Sequence, residues 1–228
     1  MKTLRLLRSA LITVFLFAHS STGSAAEKLP RALIIGDSIS GGYTKTVIRR
    51  LEGKVDVSRI PGNGQHTGTG IKKIDEWLGD GNWDVIHFNW GLWDIYGWQY
   101  AKEDRSPKAY GQRLETLVSR LEKTGAKLIW ATTTPACPGP EKTMLQKFKK
   151  EVVITPEMQA EYREVALKVM KAHKVRVNDL FHLMLPELEK YSPAPDNVHF
   201  TEAGSGKLGR QVANSILETL GLPVLEGR

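Results

Sequence analysis

From residue 31 onward, short runs of apolar residues alternate along the chain with longer amphipathic stretches. This alternation constrains the fold most, because strands buried on both faces appear as short apolar runs and their covering helices appear as amphipathic stretches. Parallel strands also need long crossover connections, which such helices supply. The pattern therefore predicts one α/β domain, a three-layer α/β/α sandwich around a five-stranded parallel sheet.

The predicted strands are the short apolar runs Arg31–Ile35, Val55–Ile60, Asp84–Asn89, Lys127–Thr132 and the weaker Val175–Val177. The predicted helices cover Gly41–Glu52, residues 70–78, a segment beginning after Ser106-Pro107, a segment from Thr155-Pro156 to about Lys171, and Thr201 to about Leu220. Residues 133–154 form one long irregular stretch, and loops of that length in a compact domain are usually functional. Ligands of such sheets bind beyond the carboxyl ends of the strands, so we expect the functional residues at that edge.

The first 26 residues differ from the rest of the chain. A basic start, an apolar run over residues 10–18 and small residues at 24–26 are typical of a secretory signal peptide cleaved near Ala26. The apolar run is shorter than the roughly 20 residues that a membrane span needs. We therefore expect residues 1–26 to be removed and residues 27–228 to form a single secreted or periplasmic domain without a stable membrane anchor.

Charge and cysteine content argue against several other functions. The chain has a formal net charge of +7, of which three basic residues and no acidic ones lie in the first 26, leaving +4. These basic residues are spread over helical stretches, so no nucleic-acid partner is expected. Cys137 is the single cysteine, which excludes an internal disulfide, and no base is assigned that would activate its thiol. His66 and His87 do not form a metal-ligand motif, so no metal is expected.

A serine follows the first predicted strand, in the segment Gly36-Asp37-Ser38 at the start of a helix. There its hydroxyl is exposed at the sheet edge, and the unpaired N–H groups and dipole of the helix can stabilise an oxyanion. Ser38 is therefore a candidate nucleophile. The same segment could instead cap the helix or hold a phosphate group.

An aspartate and a histidine lie together before the last predicted helix, in Asp196-Asn197-Val198-His199. An aspartate three residues ahead of a histidine in a tight loop can hold one imidazole nitrogen and leave the other to accept a serine proton. Asp196 and His199 are thus predicted as orienter and general base, although a histidine here could also be structural.

The Gly-Asp-Ser and Asp-x-x-His segments resemble the first and last blocks of the GDSL/SGNH hydrolases, and the resemblance covers about residues 31–221. It implies a flavodoxin-like fold and a serine esterase that hydrolyses carboxylic esters without a cofactor. Together with the predicted signal peptide, this predicts a secreted enzyme. It also implies a triad of Ser38, His199 and Asp196, and an oxyanion hole that includes the Ser38 N–H.

The same resemblance implies two further oxyanion donors, a glycine after the second strand and an asparagine after the third. Gly64 is the best match for the glycine, with Gly62 as the alternative and a simple turn as the other interpretation. Tryptophan stands where the family has its asparagine, so the donor is predicted to be the Asn89 amide, with the Trp93 indole as the alternative. In a third interpretation this donor is missing.

Aromatic residues crowd the segment after the third strand: Phe88, Trp90, Trp93, Tyr96, Trp98 and Tyr100. Some are expected in the core, and others in an apolar rim that could stack on a sugar. The predicted partner is a small-molecule or carbohydrate ester, and the favoured reaction is removal of a short acyl group such as acetyl. The alternatives are a lysophospholipase or thioesterase, and a carbohydrate-binding domain with weakened catalysis.

Overall fold

The structure, a computed structural model, describes residues 28–97, 101–137, 149 and 153–225. Within them the chain forms five strands: β1 Arg31–Ile35, β2 Asp56–Arg59, β3 Val85–Phe88, β4 Lys127–Ala131 and β5 Arg176–Asn178. Every neighbouring pair is parallel. The five-stranded parallel sheet predicted from the apolar runs is confirmed.

The strands are arranged in the order β2-β1-β3-β4-β5. This is the flavodoxin-like order, in which the chain reverses direction across the sheet between β1 and β3. The carboxyl ends of β1 and β3 are in register, with Ile35 opposite Phe88. Residues that follow these two strands are therefore brought to one place at the sheet edge.

Eight α-helices are present in the described part of the chain: α1 Ser38–Leu51, α2 Thr67–Leu78, α3 Leu92–Gly97, α4 Pro107–Glu122, α5 Pro156–Ala172, α6 Leu180–Met184, α7 Leu188–Tyr191 and α8 Glu202–Leu220. A 3₁₀ turn, Leu185–Glu187, joins α6 to α7. Helices α1 and α8 pack together on one side of the sheet, and α4 packs against α2 and α5 on the other. The predicted three-layer α/β/α architecture is confirmed.

Two apolar clusters fill the spaces between these layers. Ile35, Phe88 and Trp130 face the side of α2, α4 and α5, whereas Ile34 and Ile129 face the side of α1 and α8. Successive residues of a strand point to opposite faces, so a strand covered on both sides needs an apolar residue at each position. The clusters fix the sheet rigidly below its functional edge.

Helix α1 begins at Ser38, three residues earlier than predicted from Gly41. The reason is a cap: the Asp37 carboxylate accepts the Ile39 N–H at 2.9 Å and so satisfies one free donor of the first turn. The short helices α3, α6 and α7 were not predicted, because a helix of one or two turns has no apolar periodicity to recognise.

Most of the irregular stretch predicted over residues 133–154 lies outside the described residues, as do residues 1–26 of the predicted signal segment. Among the helices that the structure describes, none combines the length and the apolar character needed to cross a membrane.

Candidate active site

The hydroxyl of Ser38 and the imidazole of His199 meet at the carboxyl edge of the sheet. The Ser38 Oγ lies 2.9 Å from the His199 Nε2, although 161 residues separate the two in the chain. Ser38 is the first residue of α1 and His199 lies in the loop before α8. The pairing of α1 with α8 therefore brings a hydroxyl within hydrogen-bond distance of a nitrogen that can accept its proton.

The turn between β1 and α1 holds Ser38 in place through several hydrogen bonds. The Ser40 hydroxyl donates to the Asp37 carbonyl at 2.7 Å, and the Gly41 N–H donates to the same carbonyl at 3.2 Å. Gly36 allows the chain to turn this tightly, since a Cβ there would lie 2.9 Å from the Ser40 Cβ. The serine is thus held rigidly at the helix N-terminus.

The backbone N–H of Ser38 has no hydrogen-bond acceptor among the residues that the structure describes. The first N–H groups of an α-helix have no partner within the helix, and they point outward from its positive end. The N–H next to the nucleophile is therefore available to a negative oxygen.

The orientation of His199 is set by its neighbour Asn197. The Asn197 Oδ1 lies 2.8 Å from the His199 Nδ1 and accepts the His199 backbone N–H at 2.9 Å. Asparagine side chains commonly accept a hydrogen bond from the backbone two residues on. With an acceptor at Nδ1, the ring carries its proton there and leaves Nε2 free to accept from Ser38.

The hydrogen bond predicted between Asp196 and His199 is not present in the structure. Pro195 and Asp196 are the central residues of a turn closed by the Asn197 N–H, which donates to the Ala194 carbonyl at 3.2 Å. The position beside Nδ1 is already filled by the Asn197 amide oxygen. The structure thus brings two of the three predicted triad residues together and puts Asn197 where Asp196 was expected.

Gly64 lies against the nucleophile turn, but its N–H is engaged. It donates to the Gly36 carbonyl at 3.0 Å, and a Cβ at Gly64 would lie 2.8 Å from that same oxygen. The alternative, Gly62, is exposed, with φ +71°. A role for Gly64 as oxyanion donor would require its hydrogen bond to Gly36 to break, and this role stays a prediction.

The Asn89 side chain is also engaged. Its Nδ2 donates to the Ala131 carbonyl at 2.8 Å and to the Thr133 Oγ1 at 3.2 Å. These bonds tie the end of β3 to the end of β4, so Asn89 has a structural role at the site. To stabilise an oxyanion, Asn89 would have to exchange one of the two bonds, and its donor role stays a prediction.

The alternative donor, Trp93, lies in α3, half-buried against Tyr96 with their ring centroids 6.3 Å apart. Of the other aromatic residues in this segment, Phe88, Trp90 and Tyr96 are buried in the core. Trp98 and Tyr100 lie outside the described residues. Trp93 is thus the one partly exposed member among the described residues of the segment.

A small cavity of about 10 Å³, roughly the room of one water molecule, lies beside the nucleophile turn. It is lined on one side by Asp37 and Ile39, which flank Ser38, and on the others by Asn89, Leu92, Thr132, Thr133, Thr134 and Leu180. Its walls come from the carboxyl ends of β1, β3 and β4, where ligands of this sheet order bind. Ser38 itself is not among the lining residues, so this cavity does not by itself provide a place for an acyl group.

Two charged residues that the sequence did not single out lie at the same turn. Burial raises the pKa of the Asp37 carboxyl above its usual value, while the Ile39 N–H and the charges of His199 and Arg59 oppose that rise. Burial lowers the pKa of the Arg59 guanidinium, and the charges of Tyr43 and Asp37 oppose this effect. The sequence signal for Arg59 was a single basic residue at the end of a strand, which usually indicates a solvated position.

The two other histidines that the sequence analysis considered, His66 and His87, do not contact Ser38. The His66 Nδ1 accepts the Gly68 N–H at 3.1 Å and caps α2, and burial together with the nearby Arg105 lowers the His66 pKa to about 4. His87 is fully buried in β3, where burial lowers its pKa to about 3. Among the described residues, no cluster of His, Cys, Asp or Glu side chains could hold a metal ion. Neither histidine is positioned for chemistry at Ser38.

Comparison with solved structures identifies the fold. A lipase/acylhydrolase from Enterococcus faecalis is 20% identical, with a TM-score of 0.67 over 87% of this chain and 100% of that one. A catalytic mutant of an acetylxylan esterase from Geobacillus stearothermophilus is 18% identical, with a TM-score of 0.65 over 87% and 97%. A GDSL-like lipase from Bacteroides thetaiotaomicron is 15% identical, with a TM-score of 0.64 over 82% and 88%.

No protein-family model and no curated protein matches the chain. The resemblance predicted from the Gly-Asp-Ser and Asp-x-x-His segments is nevertheless confirmed at the level of the fold, because the similarity spans most of this chain and nearly all of each structure compared.

Proposed function

We propose that this chain is a serine esterase that hydrolyses carboxylic esters through an acyl-enzyme intermediate on Ser38. The observation that carries the proposal is the 2.9 Å contact between the Ser38 Oγ and the His199 Nε2, at a helix N-terminus with a free N–H. A serine that only capped a helix would not need an imidazole within hydrogen-bond distance of its hydroxyl. The fold shared with acylhydrolases and esterases supports the same reaction class.

In the proposed first step, the Ser38 Oγ attacks the ester carbonyl carbon while the His199 Nε2 takes its proton. The carbonyl oxygen becomes an oxyanion, which accepts a hydrogen bond from the Ser38 N–H. A second hydrogen bond comes from the Gly64 N–H or the Asn89 amide, once that group gives up its present acceptor. Hydrogen bonds to a charged acceptor are about twice as strong as neutral ones, which favours that exchange. His199 then gives its proton to the leaving alkoxide, and the acyl group stays on Ser38.

In the second step, His199 accepts a proton from water as the water attacks the acyl carbon. The collapse of this second oxyanion breaks the bond to Ser38 and releases the carboxylic acid, while the proton returns to the Ser38 Oγ. In both steps Asn197 holds the ring so that Nε2 faces the hydroxyl. The resemblance assigns this orienting role to Asp196, and paired variants at the two positions decide between them.

The proposed substrate carries a short acyl group, such as acetyl on a carbohydrate. Two of the structures with this fold are acetylxylan esterases. The half-buried Trp93 offers an aromatic surface of the kind on which sugar rings stack.

Labelling with a fluorophosphonate probe tests the nucleophile directly. We expect the wild-type chain to react at Ser38, and the Ser38→Ala and His199→Ala variants to lose labelling and ester hydrolysis. Ser119→Ala, a half-buried serine on α4, is the matched control and should label like wild type. An unlabelled wild-type chain, or labelling that survives Ser38→Ala, would rule out the proposed reaction.

The acyl group is tested with nitrophenyl esters of increasing chain length and with acetylated xylo-oligosaccharides. We expect kcat/KM to be highest for acetyl and to fall steadily as the chain lengthens. A rise towards long chains would instead indicate a lysophospholipase or thioesterase. Binding of the oligosaccharides without turnover would indicate a carbohydrate-binding domain.

We also propose that residues 1–26 direct export and are removed. N-terminal sequencing of the protein recovered from outside the cytoplasm should begin at Glu27. Recovery of the full-length chain in the cytoplasm alone would contradict this proposal.

A further inference from the structure

Arg59 makes an unusual set of contacts at the candidate active site. It is the last residue of β2, the edge strand of the sheet, and its side chain reaches across to the turn that carries Ser38. Its Nη2 donates to the Asp37 carbonyl at 2.9 Å and to the Gly36 carbonyl at 3.3 Å, and its Nε donates to the Ser40 Oγ at 3.0 Å. One guanidinium thus contacts three residues around the nucleophile.

The other end of the guanidinium holds the loop after β2. The Arg59 Nη1 donates to the Ile60 carbonyl at 3.1 Å and to the Gly62 carbonyl at 2.9 Å. All five N–H groups of the side chain therefore have acceptors, and four of the five are backbone carbonyls. A fully bonded planar fork of this kind holds its acceptors in fixed relative positions, which a lysine could not do.

One of these acceptors has a direct connection to the proposed chemistry. The Asp37 carbonyl and the Ser38 N–H belong to the same planar peptide group, whose two ends are linked by resonance. A cation that hydrogen-bonds the carbonyl draws electron density towards the oxygen and makes the N–H at the other end a stronger donor. The Ser38 N–H is the donor that the proposed reaction places on the oxyanion.

The charge on Arg59 is retained at this position. The side chain is half-buried, and although burial lowers the guanidinium pKa, arginine stays protonated at any pH at which the protein works. The backbone carbonyls bring no neutralising negative charge of their own. The Asp37 carboxyl interacts with the guanidinium electrostatically, but the hydrogen bonds of Arg59 all go to neutral oxygens, so the Asp37 carbonyl accepts from a cationic donor.

We propose that Arg59 is a positioning residue for ester hydrolysis, which fixes the Ser38 peptide group and strengthens its N–H as an oxyanion donor. This inference rests on the proposed function. It assigns to Arg59 an effect on the transition state rather than on substrate binding, because the oxyanion develops only after attack by Ser38.

The kinetic test compares Arg59→Met and Arg59→Lys with the matched control Arg31→Met. Arg31 is the first residue of β1 and so lies at the amino ends of the strands, away from Ser38, where its Nη1 donates to Asp80 and to the Asn82 carbonyl. We expect Arg59→Met to lower kcat by about 10- to 100-fold with little change in KM, since a full oxyanion donor contributes roughly 100- to 1000-fold. The kcat of Arg59→Lys should lie between those of Arg59→Met and wild type. The kcat of Arg31→Met should stay within about twofold of wild type.

The second test measures inhibition by a boronic acid, which forms a tetrahedral adduct with a catalytic serine. A merely structural role of Arg59 would not change the inhibition constant. The inhibition constant should rise in Arg59→Met by the same factor by which kcat/KM falls. Equal kcat in Arg59→Met and wild type would overturn the inference while leaving the esterase proposal intact. A wild-type chain that neither hydrolyses esters nor labels at Ser38 would overturn both.

If Arg59→Met does not fold, the chemical shift of the Ser38 amide proton can be measured by NMR in Arg59→Lys instead. Loss of the hydrogen bonds to the Asp37 carbonyl should move the Ser38 amide proton upfield, while amide signals around Arg31 stay in place. An unchanged Ser38 amide shift would mean that Arg59 does not act on this peptide group. This spectrum requires no turnover, so it tests the inference separately from the reaction.

Discussion

The Nδ1 of His199 lies 2.8 Å from the amide oxygen of Asn197, whereas the neighbouring Asp196 makes no hydrogen bond to the ring. An amide oxygen can fix the tautomer and orientation of an imidazole as a carboxylate does, but it supplies no negative charge. In this arrangement the buried carboxyl that interacts electrostatically with His199 is Asp37, from the nucleophile turn itself.

We expect Asn197→Ala to lower kcat by roughly 100-fold, because an unoriented ring loses much of the benefit of general base catalysis. Asn197→Asp should keep most of the activity, since its carboxylate oxygen can replace the amide oxygen. Asp196→Ala should stay within about threefold of wild type. Steady-state kinetics on an acetyl ester gives all three values.

The opposite result has an equally clear meaning. A loss of roughly 10⁴-fold in Asp196→Asn, with Asn197→Ala near wild type, would assign the orienting role to Asp196, as the Asp-x-x-His motif predicts. The loop of residues 193–199 would then rearrange when substrate binds.

A second pair of variants distinguishes Asn89 from Trp93 as the oxyanion donor. We expect Asn89→Ala to lower kcat by about 100-fold, because it removes a candidate oxyanion donor and the bonds to Ala131 and Thr133. Trp93→Phe keeps an aromatic ring but removes the indole N–H, and should change kcat by less than about threefold. A large loss in Trp93→Phe alone would show that the indole donates to the oxyanion.

Gly64 lies too close to the nucleophile turn to accept a side chain. In Gly64→Ala the new methyl would meet the Gly36 carbonyl oxygen at 2.8 Å, so the loop after β2 must move away from Ser38. We expect a lower free energy of unfolding, by roughly 1–3 kcal/mol, together with a fall in kcat. Urea unfolding and ester hydrolysis measure the two effects.

Gly206→Ala is the matched control for that methyl group. Gly206 lies in α8, where a Cβ would come no closer than 3.7 Å, to the Arg210 Nη1. Alanine is the better helix former, so we expect a gain in stability of up to about 1 kcal/mol with unchanged kcat. Equal effects of the two substitutions would mean that the close approach of Gly64 to Gly36 does not matter for the site.

The fold could be predicted because its strands are covered on both sides. Each strand of a doubly covered sheet must be apolar at successive positions, and the runs at residues 31–35, 84–89 and 127–132 are therefore visible without any partner. The order of strands followed from the family resemblance, since apolar runs carry no information on which strands are neighbours.

The site was predictable only where a motif fixes a residue at the end of an element. Ser38 begins a helix after a buried strand, and His199 precedes the last helix, so topology alone brings them close. Asn197 was missed because it lies one residue from the expected aspartate, in a turn whose geometry the sequence does not specify. Arg59 was missed because its partners are mainly backbone carbonyls, which have no sequence signature.

The buried His87 predicts how the stability of the protein changes with pH. Its Nε2 lies 3.1 Å from the Asn178 Nδ2, and burial lowers its pKa from 6.5 to about 3. Between these two values the unfolded chain binds a proton at His87 that the folded chain does not. The stabilising contribution of neutral His87 is therefore complete above pH 6.5 and is lost progressively as the pH falls towards 3.

We expect His87→Gln to reduce this loss, because glutamine stays neutral and can still accept from Asn178. Each pH unit below 6.5 costs the wild-type chain about 1.4 kcal/mol through this residue, or about 2 kcal/mol by pH 5. His66, with its pKa lowered to about 4, also reduces stability as the pH falls. Asp94, with its pKa raised to about 6 by burial, has the opposite effect on stability. Both are present in wild type and variant alike, so subtracting the two unfolding free energies at pH 7.5 and pH 5 isolates His87. Parallel losses of stability in the two proteins between these pH values would mean that His87 is protonated in the folded chain or exposed to water.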